Sequence, residues 1–471
     1  MFSISLDKLA SQINGQILIR NGVHKIPLDV SMASYGPFSS ILFLDYPIRN
    51  VTAFRNQLKR SNVRCLVIKT STLLNIDRWK ATGLAIIQVD KVQRAFRILS
   101  KLYRAQFHIP FIQVIGSSGK TTTTGMIHAI LSEKYSTLST LENTNSPTGV
   151  AFNLFRLNKT HRAAVLEAGM KAPDIMRITS ALIKPDIVVV TSIHRAHLLR
   201  LGSIEKIIAA KAEVLQALAP QGTLIINWSD PNCRKFPSHR HKGPILRYGF
   251  SDECDLWASD IQRHGMHTQF TVHIGDLHFP CSINIIGNYN VGNALAAIAV
   301  GLAMRMNPAQ ILTGLQNFEP IEGRLKVYPQ SNGSIIIDDN FNANPDSTRM
   351  LIDELIAMAQ EYPVVLVIGD MERPSRDIQK YARRVHFNIG RQLARGNFEH
   401  VLAIGIWAGE YVKGAIASGF PAERISYYPN VTAAQSKFNE LLAPGSIIVL
   451  KASPYTLVNS LRLNSPVVDN R

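Results

Sequence analysis

The stretch FIQVIGSSGKTTTTGMIHAIL occupies positions 111–131. It opens with an apolar run of the kind that forms a strand covered on both faces, turns through Gly116, Ser117, Ser118, Gly119, Lys120 and Thr121, and continues with a helical pattern. Glycines let the backbone curl so that several N–H groups point at one anion. The following helix adds its positive N-terminal end, Lys120 adds a charge, and Thr121 offers an oxygen to Mg2+. Strand, turn, lysine and helix in that order read as a triphosphate cradle. The full pattern asks for Gly or Ala where Val114 stands, so this is its short form. The competing reading is a Gly/Ser-rich turn ahead of a helix, and the ordered combination weighs against it.

Working outward, further strand-like runs follow: AAVLEAG from position 163, IVVVTSI from 187 and GTLIINW from 222, with helical patterns between most of them. That alternation predicts a parallel sheet with helices on both faces, ending after a helical stretch over 290–306. A third unit starts near Arg324 and repeats the logic with SIIIDD, PVVLVIGD, HVLAIGI and SIIVLKA. Upstream, apolar runs at 41–44, 65–68 and 84–89 outline a small α/β unit. Its last helix carries Val92, Ala95, Phe96, Leu99, Leu102 and Tyr103 on one face, and Lys91, Arg94, Arg97, Lys101 and Arg104 on the other. The basic face is read as solvated rather than as a lipid anchor. The expected division is three α/β domains, at 1–108, 109–323 and 324–471; one core of 471 residues would exceed the usual size of a domain.

Composition excludes several classes. With 46% hydrophobic and 18% charged residues the chain is neither disordered nor a coiled coil. A net charge of +17 attracts polyanions over the whole surface but does not choose among nucleic acid, membrane surface and phosphorylated substrate. Cys65, Cys233, Cys254 and Cys281 are too scattered for a disulfide framework and are expected to be free thiols. The first residues lack a secretory pattern and no run is long enough to span a membrane, so the expected compartment is the cytoplasm.

Chemistry-bearing residues then line up behind the cradle. Glu167 closes the AAVLEAG run at the sheet edge where the phosphate loop must also lie, and a carboxylate there can hold Mg2+. His197 follows the next strand, and Lys211 lies in the helical segment beyond it. His194 and His197 could suggest zinc, but no further ligands stand at zinc-like spacing. Taken singly, Glu167, His197 or Lys211 is more often an ordinary surface residue than a functional one; their order is what counts.

In that order the chain resembles the Mur ligases, ATP-dependent enzymes that join amino acids or peptides to a carboxylate during cell-wall precursor synthesis. GSSGKT, the Asn143 and Asn145 segment, Glu167-Ala168-Gly169, Ala196-His197-Leu198, AAKAEVL around Lys211, Asn227 to Asp230, GNYNVGN from 287, EGR ending at Arg324, and DDNFNANPDS from 338 match the family's motifs through most of residues 110–375. The Asn-Ala-Asn-Pro string and Gly369-Asp370-Met371 are most similar to members that add D-alanyl-D-alanine to a UDP-N-acetylmuramoyl tripeptide.

The resemblance implies a three-domain Mur ligase architecture, with a central P-loop ATPase-like parallel sheet and a Rossmann-like C-terminal domain. It implies ATP and two Mg2+ ions: Gly116, Ser117, Ser118, Gly119 and Lys120 on the phosphates, Thr121 and Glu167 on the first metal, and His197 with a carbamylated Lys211 on the second. Asn143 and Asn145 would orient the γ-phosphate or acyl phosphate, Asn290 and Asn293 the adenine side, and Arg324 and Asp339 would complete the site on closure. Lys120, Glu167, His197 and Lys211 carry the catalysis in this reading. The partners implied are a carboxylate substrate, either a UDP-sugar peptide or another small molecule, and an amine or dipeptide. A specific nucleic acid is not expected, and the chain is expected to be a monomer.

Both substrate-facing ends depart from the family pattern. SMASYGPFSS stands where an Asp-Ser-Arg-like triplet usually helps hold the UDP sugar, Tyr289 replaces a histidine, and Lys451-Ala452-Ser453-Pro454-Tyr455 replaces a glycine-rich turn. A diverged Mur-type ligase acting on a carboxylate without UDP therefore stays open beside the D-alanyl-D-alanine-adding activity. A non-catalytic relative would need broken ATP residues, and a nucleic-acid-dependent ATPase is favoured only by the charge.

Overall fold

The structure, a computed structural model, describes residues 2–461 apart from 47, 49, 50, 70–76, 81, 142, 195–200, 372–378, 457 and 459. His197 lies outside the described residues. Three sheets follow one another along the chain, beside a small two-stranded pairing at the N-terminus.

The first sheet has five strands, in the spatial order Gln16–Ile19, Ala85–Val89, Cys65–Lys69, Ile41–Phe43, Val30–Met32. All neighbours are parallel except the Gln16–Ile19 edge. Helix Val92–Arg104 covers it, burying Val92, Ala95, Phe96, Leu99 and Tyr103. Leu102, expected on the apolar face, is instead 39% exposed. Arg104 is not solvated as expected: its guanidinium lies 3.7 Å from the Phe111 ring centroid and donates to the carbonyls of Ile183 and Phe107. Tyr103 donates its hydroxyl to Leu157 O at 2.7 Å. This end of the helix thus clamps the first sheet onto the second.

The second sheet has nine strands. Its parallel part contains Thr223–Asn227, Ile187–Val190, Phe111–Ile115, Ala163–Glu167 and Thr137–Ser139 as consecutive neighbours. Residues 111–115 are all buried, as helices on both faces require. In register, Glu167 pairs with Val114 and Val190 with Ile115. The phosphate loop, Glu167, Thr191 and Asn227 therefore emerge at one carboxyl edge, where ligands bind in open α/β sheets. The sequence reading leaves out four strands between 245 and 283. Ile245–Gly249 and Leu256–His264 extend the sheet in parallel, and His267–Ile274 and Leu277–Ile283 continue it as antiparallel hairpins. Helix Asn288–Ala303, buried nearly throughout, packs against the phosphate-loop helix Lys120–Ser132.

The third sheet has six strands, with Ile447–Lys451 inserted between Ile335–Asp338 and Val364–Gly369; only the edge strand Lys326–Pro329 is antiparallel. Asp338 pairs with Leu450, so Asp339 and Lys451 reach the same carboxyl edge from strands more than a hundred residues apart. All four cysteines are free, as expected, and all four are buried. No helix among the described residues is long and apolar enough to cross a membrane.

Candidate active site

The loop from Gly116 to Thr121 is held from both sides. Thr191 Oγ1 donates to Ser118 O at 2.6 Å, and Ser192 Oγ accepts from Ser118 N at 3.0 Å. Gly119 has φ +81°, and a Cβ there would sit 2.4 Å from Asn293 Oδ1. Both the left-handed backbone and the close approach demand glycine. Asn293 in turn accepts from Thr123 Oγ1 and donates to Asn290 Oδ1 at 2.9 Å, while Asn290 donates to Ile286 O. Expected on the adenine side, these two asparagines line the cavity and also form a buried brace against the loop.

Glu167 is buried and surrounded by donors. Thr121 Oγ1 donates to its Oε2 at 2.8 Å, Asn145 Nδ2 to its Oε1 at 2.7 Å, and Lys120 Nζ stands 3.9 Å away. Hydrogen bonds to a charged group each contribute roughly 1.5–3 kcal/mol, so the carboxylate is held in one orientation. Asn145 is placed by the start of helix Pro147–Phe155: Ser146 accepts from Gly149 N at 3.1 Å, and Pro147 pre-sets the first helical residue. Asn143 is exposed with φ +60° and has no side-chain hydrogen bond among the described residues, so it is not brought to Glu167.

A hydroxyl and a carboxylate oxygen 2.8 Å apart form a hard donor pair. Adjacent ligands of an octahedral Mg2+ bound at about 2.1 Å lie about 3 Å apart, so Thr121 and Glu167 fit the ion without rearrangement. Burial lowers the Lys120 pKa and Arg324 lowers it further, while Glu167 opposes them. Lys211 is 3% exposed, and no hydrogen bond or ion pair of its amine occurs among the described residues. Burial, then the charge of Lys120, brings it down to about 7. Near neutrality much of it is therefore an uncharged amine, the form that can react with CO2.

Lys120, Thr121 and Arg324 open onto a cavity of about 430 Å3, inside the range of small-molecule sites. One wall is Ser117 to Thr121 of the loop; another is Asn290, Asn293 and Tyr289; the third sheet closes it with Arg324, Asp339 and Lys451. Lys451 Nζ, 2% exposed, donates to Asp339 at 2.6 Å and to Asn342 O at 3.0 Å. At the far end Asp230 accepts from Ile193 N and Asn232 N, and Asn227 donates to Thr191 O, tying two strand ends together. Sequence reasoning marks Tyr289 and Lys451 only as departures from the family pattern and Asn344 only as part of a matching string; the structure places all three on the cavity wall. Lys451 had a signal, a lone lysine ending an apolar strand, but its partner lies in a distant part of the chain.

Three α/β sheets, a phosphate loop at the edge of the second and a cavity shared with the third define a phosphate-loop nucleotide enzyme whose site is completed by another domain. The model of the Mur ligase middle domain matches residues 114–301, and that of the Mur ligase glutamate ligase domain matches residues 323–454. The UDP-N-acetylmuramoyl-tripeptide--D-alanyl-D-alanine ligase of Bacillus subtilis is 30% identical over 370 residues, covering 78% of each chain; that of Escherichia coli is 27% identical over 409 residues, covering 86% of each. The chain belongs to the Mur ligase family. In fold it is similar to the crystal structure of MurF from Acinetobacter baumannii, with TM-score 0.84 and 24% identity over 98% of this chain and 99% of that one. It also resembles MurF ligase of Thermotoga maritima in complex with ADP, with TM-score 0.75 and 19% identity over 93% and 97%.

Proposed function

We propose that this protein is an ATP-dependent, ADP-forming ligase that adds D-alanyl-D-alanine to a UDP-N-acetylmuramoyl tripeptide in peptidoglycan precursor synthesis. The observation that carries the reading is the cavity lined both by the loop from Ser117 to Thr121, whose Thr121 hydroxyl is bonded to Glu167, and by the Asp339–Lys451 pair.

A carboxylate resists amines because its carbon carries no leaving group. In this reading a donor carboxylate oxygen attacks the γ-phosphorus of ATP, the bond to the β,γ-bridging oxygen breaks, and ADP leaves. The amine nitrogen then attacks the acyl carbon, the C–O bond to phosphate breaks, and inorganic phosphate departs with the oxygen that made the attack. Lys120 and the loop N–H groups hold the β- and γ-phosphates and offset their charge. Thr121 and Glu167 would hold one Mg2+, and Lys211 as a carbamate with His197 a second. Bound there, these ions supply charge neutralisation at the transferring phosphoryl group. A carbamate turns a cation that would repel a metal into an oxygen ligand, and the uncharged amine favoured at Lys211 is the form that makes one. Arg324 and Asp339 would shield the acyl phosphate from water when the third domain closes.

The test is direct. Purified protein with Mg-ATP, UDP-N-acetylmuramoyl tripeptide and D-alanyl-D-alanine should give a product of the summed mass less one water, together with ADP and phosphate. Absence of that product, with other carboxylates accepted, would favour a second reading: the same chemistry on a donor without UDP. That reading draws on the segment where the sugar grip usually stands. Here Tyr35 stacks on Phe152 and approaches Ser146, while Ser34 donates to Asp45, so the segment is used to join the first two sheets.

A further inference from the structure

Helix Asn288–Ala303 carries the asparagine brace behind the phosphate loop, yet its own sequence leaves its start without a side-chain cap. The residue before it is Gly287, with φ +104° and no side chain to satisfy the N–H groups of the first turn. The cap comes instead from the third sheet's side. Glu354, in helix Pro345–Met358, accepts from Asn288 N through Oε1 at 2.7 Å. A carboxylate at that end also opposes the positive end of the helix dipole. Glu354 is half-buried: burial pushes its pKa up, and the Asn288 N–H and then the Arg263 charge pull against that.

From Asn288 the contacts run on to the loop. Asn290 Nδ2 donates to Ile286 O, on the near side of Gly287, and Asn293 Nδ2 donates to Asn290 Oδ1. Asn293 Oδ1 accepts from Thr123 Oγ1 at 3.1 Å and stands against Gly119. Tyr289, beside Asn288, lines the ATP cavity. The backbone over 286–288 is thus the footing of the brace, and Glu354 holds it from another sheet. A second contact joins the same two elements: Arg263, in strand Leu256–His264, pairs with Glu361 and lies 5.4 Å from the Tyr362 ring centroid, just past helix Pro345–Met358. That contact does not touch the brace. Groups at a working site must be held within about 0.5 Å of their productive geometry, so fraying of this helix start reaches the phosphates.

We propose that Glu354 is a positioning residue of the nucleotide site: docked on the start of helix Asn288–Ala303, it holds the asparagine brace, and through it the phosphate loop, in the geometry that binds ATP. The inference rests on the reading of the chain as an ATP-dependent ligase. It makes the fit of the loop on the second sheet depend on a side chain from the third.

Glu354→Ala, Glu354→Gln and Glu361→Ala, each in the full chain, test it by melting temperature, calorimetric titration with ADP and steady-state kinetics. Glu354→Ala should weaken ADP binding and raise the KM for ATP by about tenfold, as expected for one lost charge-assisted bond, with the donor KM unchanged. Glutamine keeps an acceptor for Asn288 N without the charge, and should return both constants to within about threefold of wild type. Glu361→Ala breaks the neighbouring ion pair and should leave both constants unchanged. Should Glu354→Ala fold poorly, Glu354→Asp, whose shorter side chain withdraws the carboxylate from Asn288 N, takes its place with the same expected loss. A lower melting temperature with the KM for ATP untouched would mark a structural contact only and overturn the proposal. Equal losses in Glu361→Ala, or a glutamine variant as weak as the alanine one, would overturn it too. ADP affinity is read without turnover, so the two readings separate. If the wild type forms no amide but the Glu354 variants lose ADP as stated, the ligase reading falls and the positioning role stands. If it ligates and Glu354→Ala keeps its ADP affinity, the reverse holds.

Discussion

Gly119 shows how little latitude the phosphate loop has. A methyl group there would meet Asn293 Oδ1 at 2.4 Å in a backbone region that L-residues avoid, so Gly119→Ala must either displace the asparagine brace or shift the loop. It should cost about 1–3 kcal/mol in chemical denaturation and abolish ATP binding by calorimetry. Lys120→Ala removes a buried cation without breaking an element; the variant should retain its melting temperature within a few degrees while ATP-dependent amide formation falls below detection. Retained ligation would refute the assigned role. For Lys211, intact mass or crystallography in bicarbonate should find an added CO2 on the competent enzyme, and only unmodified amine would remove its metal role. At this scale Lys120, Thr121 and Glu167 are legible in the sequence because strand, loop and strand end come in a fixed order. Asp339 is also legible, as part of a matching string, but its pairing with Lys451 is not, because it depends on Ile447–Lys451 being inserted beside Ile335–Asp338.

Among the elements, helix Gln379–Leu393 carries a titration that can be tested separately from catalysis. His386 is fully buried; its Nδ1–H donates to Ala382 O at 2.7 Å and its Nε2 accepts from Met371 N at 3.2 Å, so only the neutral ring fits. Burial pushes it down to about 4 from an ordinary 6.5. Its contribution to stability is present above pH 6.5 and lost as pH falls through 4. Nearby, burial raises Asp370 to about 6 from 3.8, against the backbone donors Ile406 and Trp407. That contribution has the opposite sign: it is present below 3.8 and lost as pH rises through 6. Between pH 4 and 6 the two oppose each other, and the wild-type stability attributable to them should be nearly level. In His386→Gln only the Asp370 part remains, and urea denaturation should show stability dropping by about 2–3 kcal/mol across that window as pH rises. A variant that follows the wild-type profile would contradict the assignment.

The same scale shows where periodicity reads well and where it does not. Apolar runs such as IVVV at 187–190 locate the parallel strands because both faces are covered, so every residue of the strand is apolar. The hairpins over 256–283 alternate buried and exposed residues with charges between, and escape a search for apolar runs. Arg104 is assigned to water by its helical face, yet it spans the junction to Phe111 and Ile183, a contact that only tertiary packing creates.

At the scale of the molecule, three sheets are arranged so that Thr121 at the edge of the second and the Asp339–Lys451 ion pair on the third line one cavity, while the first presents its cations at a separate edge. Part of the +17 charge thus has a location, although the total alone did not single out a ligand. The central claim is that the acid is phosphorylated before it bonds to nitrogen. Turnover with donor carrying 18O in the reacting carboxylate tests it most directly: mass spectrometry of the released inorganic phosphate should find one 18O transferred for each amide formed. Amide formation with phosphate free of label would contradict the account.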